Sequence, residues 1–140
     1  EKKGPPPKVN LFNEKNNGET ILKLIKEGLI DSAHDVSLGG IITALSKMAI
    51  KGKKGFKLNK PKVLINKFDY YFGEDQGRYI IEIEPKNLSK VQKILKDNSV
   101  HYDEIGLVTE KDVIIDKEPI IHIDDLIKSN KYWLENYMDK

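Results

Sequence analysis

Two short stretches of this sequence carry the groups best suited to meet a ligand. The first, His34-Asp35-Val36-Ser37-Leu38-Gly39-Gly40, ends in paired glycines just ahead of an apolar helical pattern. Glycines let backbone N–H groups approach a ligand closely, and a helix N-terminus offers unpaired donors with partial positive charge. An anion or phosphate would suit this turn. The same residues also read as a tight turn in which Ser37 caps the helix and His34 is hydrogen-bonded in the core. The second stretch, Gly73-Glu74-Asp75-Gln76-Gly77-Arg78, sets polar side chains between two glycines just before a strand. It can present Glu74, Asp75 and Gln76 to a substrate, with Arg78 orienting one acid through a two-pronged hydrogen bond. Alternatively, Glu74, Asp75 and Arg78 form a local structural network. Arg78 is the only arginine among 24 basic residues, so a planar fork has been kept where lysine is otherwise used throughout.

Other site chemistries find no support. His34, His101 and His122 are the only histidines and lack metal-ligand spacing. There is no Gly-x-Ser-x-Gly elbow, no Gly-x-x-x-x-Gly-Lys-Ser/Thr loop and no dinucleotide-binding glycine fingerprint. No catalytic residue, no metal ligand and no independent ATP site are therefore assigned to this chain. Cysteine is absent, which removes disulfides and thiolate nucleophiles together. The 24 basic and 22 acidic residues are interspersed, leaving little field to attract a nucleic acid. No apolar run approaches the roughly 20 residues of a membrane-spanning helix, and no signal-peptide pattern is present, so a cytoplasmic location is expected.

The elements that must position these stretches follow from apolar periodicity. At 140 residues one domain is expected, over residues 10–140, preceded by a linker over residues 1–9 that contains Pro5-Pro6-Pro7. A first helix is predicted over about 10–27 with Gly28 as its stop, then a strand and turn over 32–40, then a second helix over about 39–51. The lysine-rich stretch from Lys51 to Lys67 reads as a solvated loop interrupted by a short strand at Val63-Leu64-Ile65. The rings of Phe68-Asp69-Tyr70-Tyr71-Phe72 read as core rather than as a base-stacking platform. From Arg78 to Glu84 the alternation predicts a half-buried strand with Tyr79, Ile81 and Ile83 on one face and Ile80 as an exception. A third helix through Leu88, Val91, Ile94 and Leu95 is expected to start at Pro85 with Asn87 as cap. Strands are expected around Tyr102–Thr109, Val113–Ile115 and Ile120–Ile123. One final amphipathic helix would carry Ile123, Leu126, Ile127, Leu134 and Tyr137, with Asp124 and Asp125 at its positive end. The order implies an α+β or mixed α/β domain, a mixed sheet covered by helices.

Taken together, Pro5-Pro6-Pro7, Glu14-Lys15-Asn16-Asn17-Gly18-Glu19, Ala33 to Gly40, Phe72 to Tyr79 and Ile105-Gly106-Leu107-Val108 resemble a known family in order and spacing. The sequence is similar to the C-terminal domain of the synthetase subunit of phosphoribosylformylglycinamidine synthase, within the aminoimidazole ribonucleotide synthetase-like superfamily. The resemblance implies that superfamily's C-terminal domain fold. It also implies a part in the ATP-dependent conversion of formylglycinamide ribonucleotide to the amidine, with ammonia released from glutamine by a partner. Phosphorylation of the amide oxygen would turn it into a leaving group. ATP and magnesium would be bound mainly by preceding domains of the same polypeptide, and a glutaminase subunit and a small accessory subunit would complete the assembly. By the same resemblance Glu74, Asp75 and Gln76 line a second, pseudo-symmetric cleft; His34, Asp35, Ser37, Gly39, Gly40 and Arg78 of the two stretches are the further ligand-cleft candidates, and the chain alone would be inactive. The pattern departs from the family at Leu38, where an aspartate is usual, leaving the Gly39 and Gly40 backbone donors as the polar groups of that turn. Alternative readings are a domain of another superfamily member and a free-standing, non-catalytic binding module.

Overall fold

The computed structural model describes residues 8–60 and 66–139. In chain order its elements are α1 (Leu11–Lys26), β1 (Ser32–Asp35), α2 (Gly40–Gly52), β2 (Gly55–Leu58), α3 (Lys67–Phe72), β3 (Tyr79–Glu82), a 3-10 turn (Pro85–Asn87), α4 (Leu88–Asp97), β4 (Gly106–Thr109), β5 (Asp112–Ile115), β6 (Ile121–His122), α5 (Ile123–Lys131) and α6 (Trp133–Met138). They fall into two compact units, one from the residues up to Ala44 with Tyr71–Asp103, the other from Leu45–Tyr70 with Glu104 onward. The fold is mixed α/β with helices over sheet, as its sequence implies.

In the first unit, α1 begins where the Asn10 side chain accepts a hydrogen bond from the Asn13 N–H at 3.1 Å. It ends at Gly28, whose φ of 63° turns the chain left-handed. There the Gly28 N–H donates to the Ile25 carbonyl and the Leu29 N–H to the Leu24 carbonyl, satisfying two of the helix's last acceptors. The turn delivers Leu29 next to Leu24, and these two residues pack with Val91 and Leu95 of α4 in one buried cluster. Ile21, Ile81, Ile83 and Ile94 border that cluster. Asn87 stands at the start of α4, but its side chain forms no cap there. Its amide donates instead to the Leu29 carbonyl at 3.4 Å, a long bond that joins α4 to the end of α1.

β1 and β3 pair antiparallel, from Ser32 opposite Glu82 to Asp35 opposite Tyr79. The expected facing of β3 holds for Ile81 and Ile83, which lie half-buried against the α1–α4 cluster, and is corrected at Tyr79, which is exposed; Ile80, the exception, is buried. The exception was the informative residue, because β3 is covered on both faces and simple alternation does not apply.

In the second unit, β2 lies between antiparallel β4 and parallel β5, and β6 pairs antiparallel with the far side of β5. β2 sits in the stretch expected to be a solvated loop, which is a second correction. Phe56 and Leu58 point inward and Lys57 outward, a period of two that four residues among lysines do not advertise. The strand expected at Val63-Leu64-Ile65, and most of the linker expected over 1–9, lie outside the described residues. Three lysines of the stretch are paired with acids: Lys54 with Glu110 at 2.7 Å, Lys60 with Asp116 at 3.4 Å and Lys67 with Glu118 at 2.6 Å. The Lys54 hydrogen bond and charge hold the Glu110 carboxyl below its ordinary pKa.

Two further expectations need revision. The aromatic stretch is the short helix α3, in which Tyr71 is buried but Phe68 and Phe72 are exposed. The single final helix is instead α5 and α6, broken at Tyr132. Ile123 is buried and Leu126 and Ile127 half-buried, whereas Leu134 and Tyr137 are exposed, so the expected apolar seam does not continue through the break. No helix among the described residues is long and apolar enough to cross a membrane.

Leu24 has no solvent exposure. Leu24→Ala is therefore expected to lower the unfolding free energy by about 2–5 kcal/mol, measured by urea denaturation, whereas Leu11→Ala at an exposed position shifts it by no more than about 0.5 kcal/mol.

Candidate functional site

Antiparallel pairing sets the end of β1 beside the start of β3, so the chain segments that leave and enter these strands share one end of the ribbon. Those segments are the two polar motifs. The Val36 N–H donates to the Arg78 carbonyl at 2.9 Å, one step beyond the last strand pair, and extends the pairing into both. The Gly39 N–H then donates to Glu74 Oε1 at 2.8 Å, joining the motifs through a charge-assisted bond. The Gly40 N–H donates to the Ser37 carbonyl at 2.9 Å. Ser37 thus serves the turn through its backbone.

Gly40 opens α2 with a φ of 67°, and a Cβ there would lie 2.6 Å from the Tyr71 carbonyl oxygen and 2.7 Å from Phe72 backbone atoms. The glycine is required both by the left-handed backbone and by this close approach. Leu38, at the crest of the turn, is 78% exposed.

Arg78 acts mainly on backbone. Its Nη2 donates to the Gly73 carbonyl at 2.6 Å and lies 3.2 Å from Asp75 Oδ2, while Nε donates to the Asp75 carbonyl at 3.3 Å. The two-pronged carboxylate bond expected from sequence is replaced by a fork that closes the loop on itself. Gln76 is exposed at the loop surface. His34 is half-buried, with Nδ1 2.6 Å from the Asp35 carbonyl oxygen and 3.3 Å from Asp35 Oδ1. All nine candidates therefore gather at one end of β1 and β3, as two loops clasped through Gly39 and Glu74.

Two site-supporting residues were not among the candidates. Asn17 of α1 donates from its side-chain amide to the Gly77 carbonyl at 2.9 Å, and the Glu14 carboxylate lies against Gly77, 3.2 Å from where a Cβ would stand. Both belong to the Glu14–Glu19 string, whose presence in the recognised pattern was the available signal. α1 thus buttresses the second loop from behind.

The Gly39 and Gly40 amides are both bonded within the chain, Gly39 to the Glu74 carboxylate and Gly40 to the Ser37 carbonyl. No group of three or more histidine, aspartate and glutamate side chains that could hold a metal ion occurs among the described residues. Asp75 and Gln76 are exposed at the loop surface, Asp75 with its carboxylate 3.2 Å from Arg78 Nη2.

The family model described as "AIR synthase related protein, C-terminal domain" matches residues 1–117. The chain belongs to this family. It is 68% identical over 139 residues to the phosphoribosylformylglycinamidine synthase subunit PurL of Pelagibacter ubique, covering 99% of this chain and 19% of that protein. A PurL from Caldanaerobacter subterraneus is 42% identical over 114 residues, 81% of this chain and 15% of that protein. The chain thus spans about a fifth of the length of such relatives. Among solved structures, PurLQS from Thermotoga maritima superposes with a TM-score of 0.74 at 22% identity, covering 86% of this chain and 22% of that one. T. maritima PurL complexed with FGAR gives 0.73 at 22% identity, with 85% and 21% covered. At that identity the likeness shows the fold, and the family resemblance read from the motifs is borne out.

Gly40→Ala is expected to destabilise the chain by roughly 2–5 kcal/mol, the sum of left-handed strain and overpacking. Gly52→Ala, with nothing within 4 Å of the added carbon, should be neutral or mildly stabilising in the same thermal melt. Glu74→Ala should raise the hydrogen-exchange rate of the Gly39 amide, while Glu74→Gln, which keeps an acceptor, should leave it closer to the parent rate; equal exchange in all three proteins would show the clasp to be unimportant.

Proposed function

We propose that this chain works as the C-terminal domain of an ATP-dependent synthetase that converts formylglycinamide ribonucleotide and ammonia to formylglycinamidine ribonucleotide in purine biosynthesis. The observation that carries the reading is the 68% identity to a PurL subunit across 139 residues, a span that includes both clasped motifs. In this reading the domain supplies one wall of a cleft rather than the reacting groups. Gly39, Gly40, Glu74 and Arg78 hold the loops in shape, and Asp75 and Gln76 form the polar rim.

ATP and magnesium belong, on this proposal, to the preceding domains of the same polypeptide, where the nucleotide would supply the phosphoryl group that activates the amide oxygen. Two features of the chain support that division. The amides at the start of α2 are internally bonded, and Arg78 is committed to its own loop. A glutaminase subunit would deliver ammonia, and a small accessory subunit would complete the complex. T. maritima PurL has been seen with FGAR and with ATP, ligands that the reading assigns to the complete synthetase.

The test is a segment exchange. Replacing the matching segment of Pelagibacter ubique PurL with this chain should retain ATP- and ammonia-dependent amidine formation, and the chain by itself should form none. An inactive but folded exchange protein, or amidine formation by the isolated chain, would each overturn the proposal.

A further inference from the structure

The last two helices carry a surface that neither the fold nor the candidate site explains. Trp133, Tyr137 and Met138 are 61%, 69% and 72% exposed, and Tyr132 and Leu134 beside them are also exposed. Five large apolar side chains exposed within seven residues, four of them at helical spacing on α6, are a concentration of the kind that marks an interaction surface. Beside it lies a groove of about 610 Å³ lined by Lys128, Ser129, Tyr132, Trp133 and Asn136. Aromatic anchors next to hydrogen-bonding groups are the usual make-up of a protein–protein contact centre.

The family model matches residues 1–117, so α5 and α6 lie beyond the matched residues. The alignment to Pelagibacter ubique PurL nevertheless covers 99% of this chain, and therefore runs through both helices. That same alignment uses 19% of the PurL subunit, leaving about four-fifths of it as polypeptide available to cover the patch.

We infer that the α5–α6 face, centred on Trp133 and Tyr137, is the docking surface by which this domain seats against the remaining part of its synthetase polypeptide. The inference rests on the function proposed above. The partner surface is an apolar projection that enters the groove beside Trp133, flanked by acceptors for Lys128, Ser129 and Asn136. A second copy of this chain is the competing occupant, and the experiment separates the two.

Trp133 is the only tryptophan of the chain, which makes it a unique reporter. Hydroxyl-radical footprinting with mass spectrometry is done on the isolated chain and on the Pelagibacter exchange protein. Oxidation of Trp133, Tyr137 and Met138 should be strong in the first and largely lost in the second. Unchanged oxidation in the exchange protein overturns the inference. Its amidine-forming activity is read separately: an active protein with an unprotected Trp133 sinks the docking surface alone, and an inactive one with a protected Trp133 sinks the functional reading alone. Sedimentation of the isolated chain is the second measurement and does not depend on the exchange protein folding. A monomer supports the inference, whereas a dimer that Trp133→Glu dissolves assigns the patch to a second copy and overturns it.

Discussion

The pairing of β1 with β3 is the constraint on which the candidate site depends. Its register sets Asp35 opposite Tyr79, and because the strands run antiparallel the residues after Asp35 and those before Tyr79 emerge together. Gly39 and Glu74, 35 positions apart in sequence, then need only a short reach to bond. A slip of one residue would turn every side chain of the ribbon to the opposite face and separate Ile81 from the cluster built on Leu24 and Val91. The packing of Leu24 and Leu29 against Val91 and Leu95 thereby fixes the geometry of a polar site that none of these four side chains enters.

At the site itself, a charge-assisted bond closes one loop on the other. A helix start with free amides attracts an anion, and here the nearest anion is the chain's own Glu74. Arg78 answers the complementary need of the second loop, whose carbonyls at Gly73 and Asp75 would otherwise face the same direction without donors. The guanidinium reaches the Gly73 and Asp75 carbonyls from two nitrogens held rigidly in one plane, Nη2 and Nε, a fixed fork that the single nitrogen of a lysine ammonium does not reproduce. Asn17 and Glu14 complete the support from α1.

Much of this was readable from residue order. α1, with its stop at Gly28, and α4 followed from three- and four-residue apolar spacing, because each buries one face only. The two motifs were visible as polar strings flanked by glycines, but their meeting was not, because nothing in the residue order says that β1 pairs with β3. The failures have physical causes as well. β3 buries Ile80 on one face while Ile81 and Ile83 are half-buried on the other, so alternation alone could not rank its residues, and β2 is short with Lys57 outward, so composition disguised it. The break at Tyr132 was hidden because Leu134 and Tyr137, exposed among the described residues, continue the apolar spacing of α5. Sequence reveals which residues are apolar, but not whether the surface that buries them lies in the same chain.

The parallel pairing of β2 with β5 bears on how the molecule is made. β2 ends at Leu58, while the strands on either side of it, β4 and β5, begin only at Gly106 and Asp112. During synthesis Phe56 and Leu58 therefore leave the ribosome about fifty residues ahead of the strands that flank β2. A sheet assembled from such distant partners closes slowly, since a long loop must be ordered before any strand contact rewards it. The lysines around β2 keep that waiting segment charged and apart from its neighbours. Lys54 and Lys60 then find Glu110 and Asp116 when the later strands arrive. Charges that look like surface decoration in the finished fold thus guard against misassociation on the way to it.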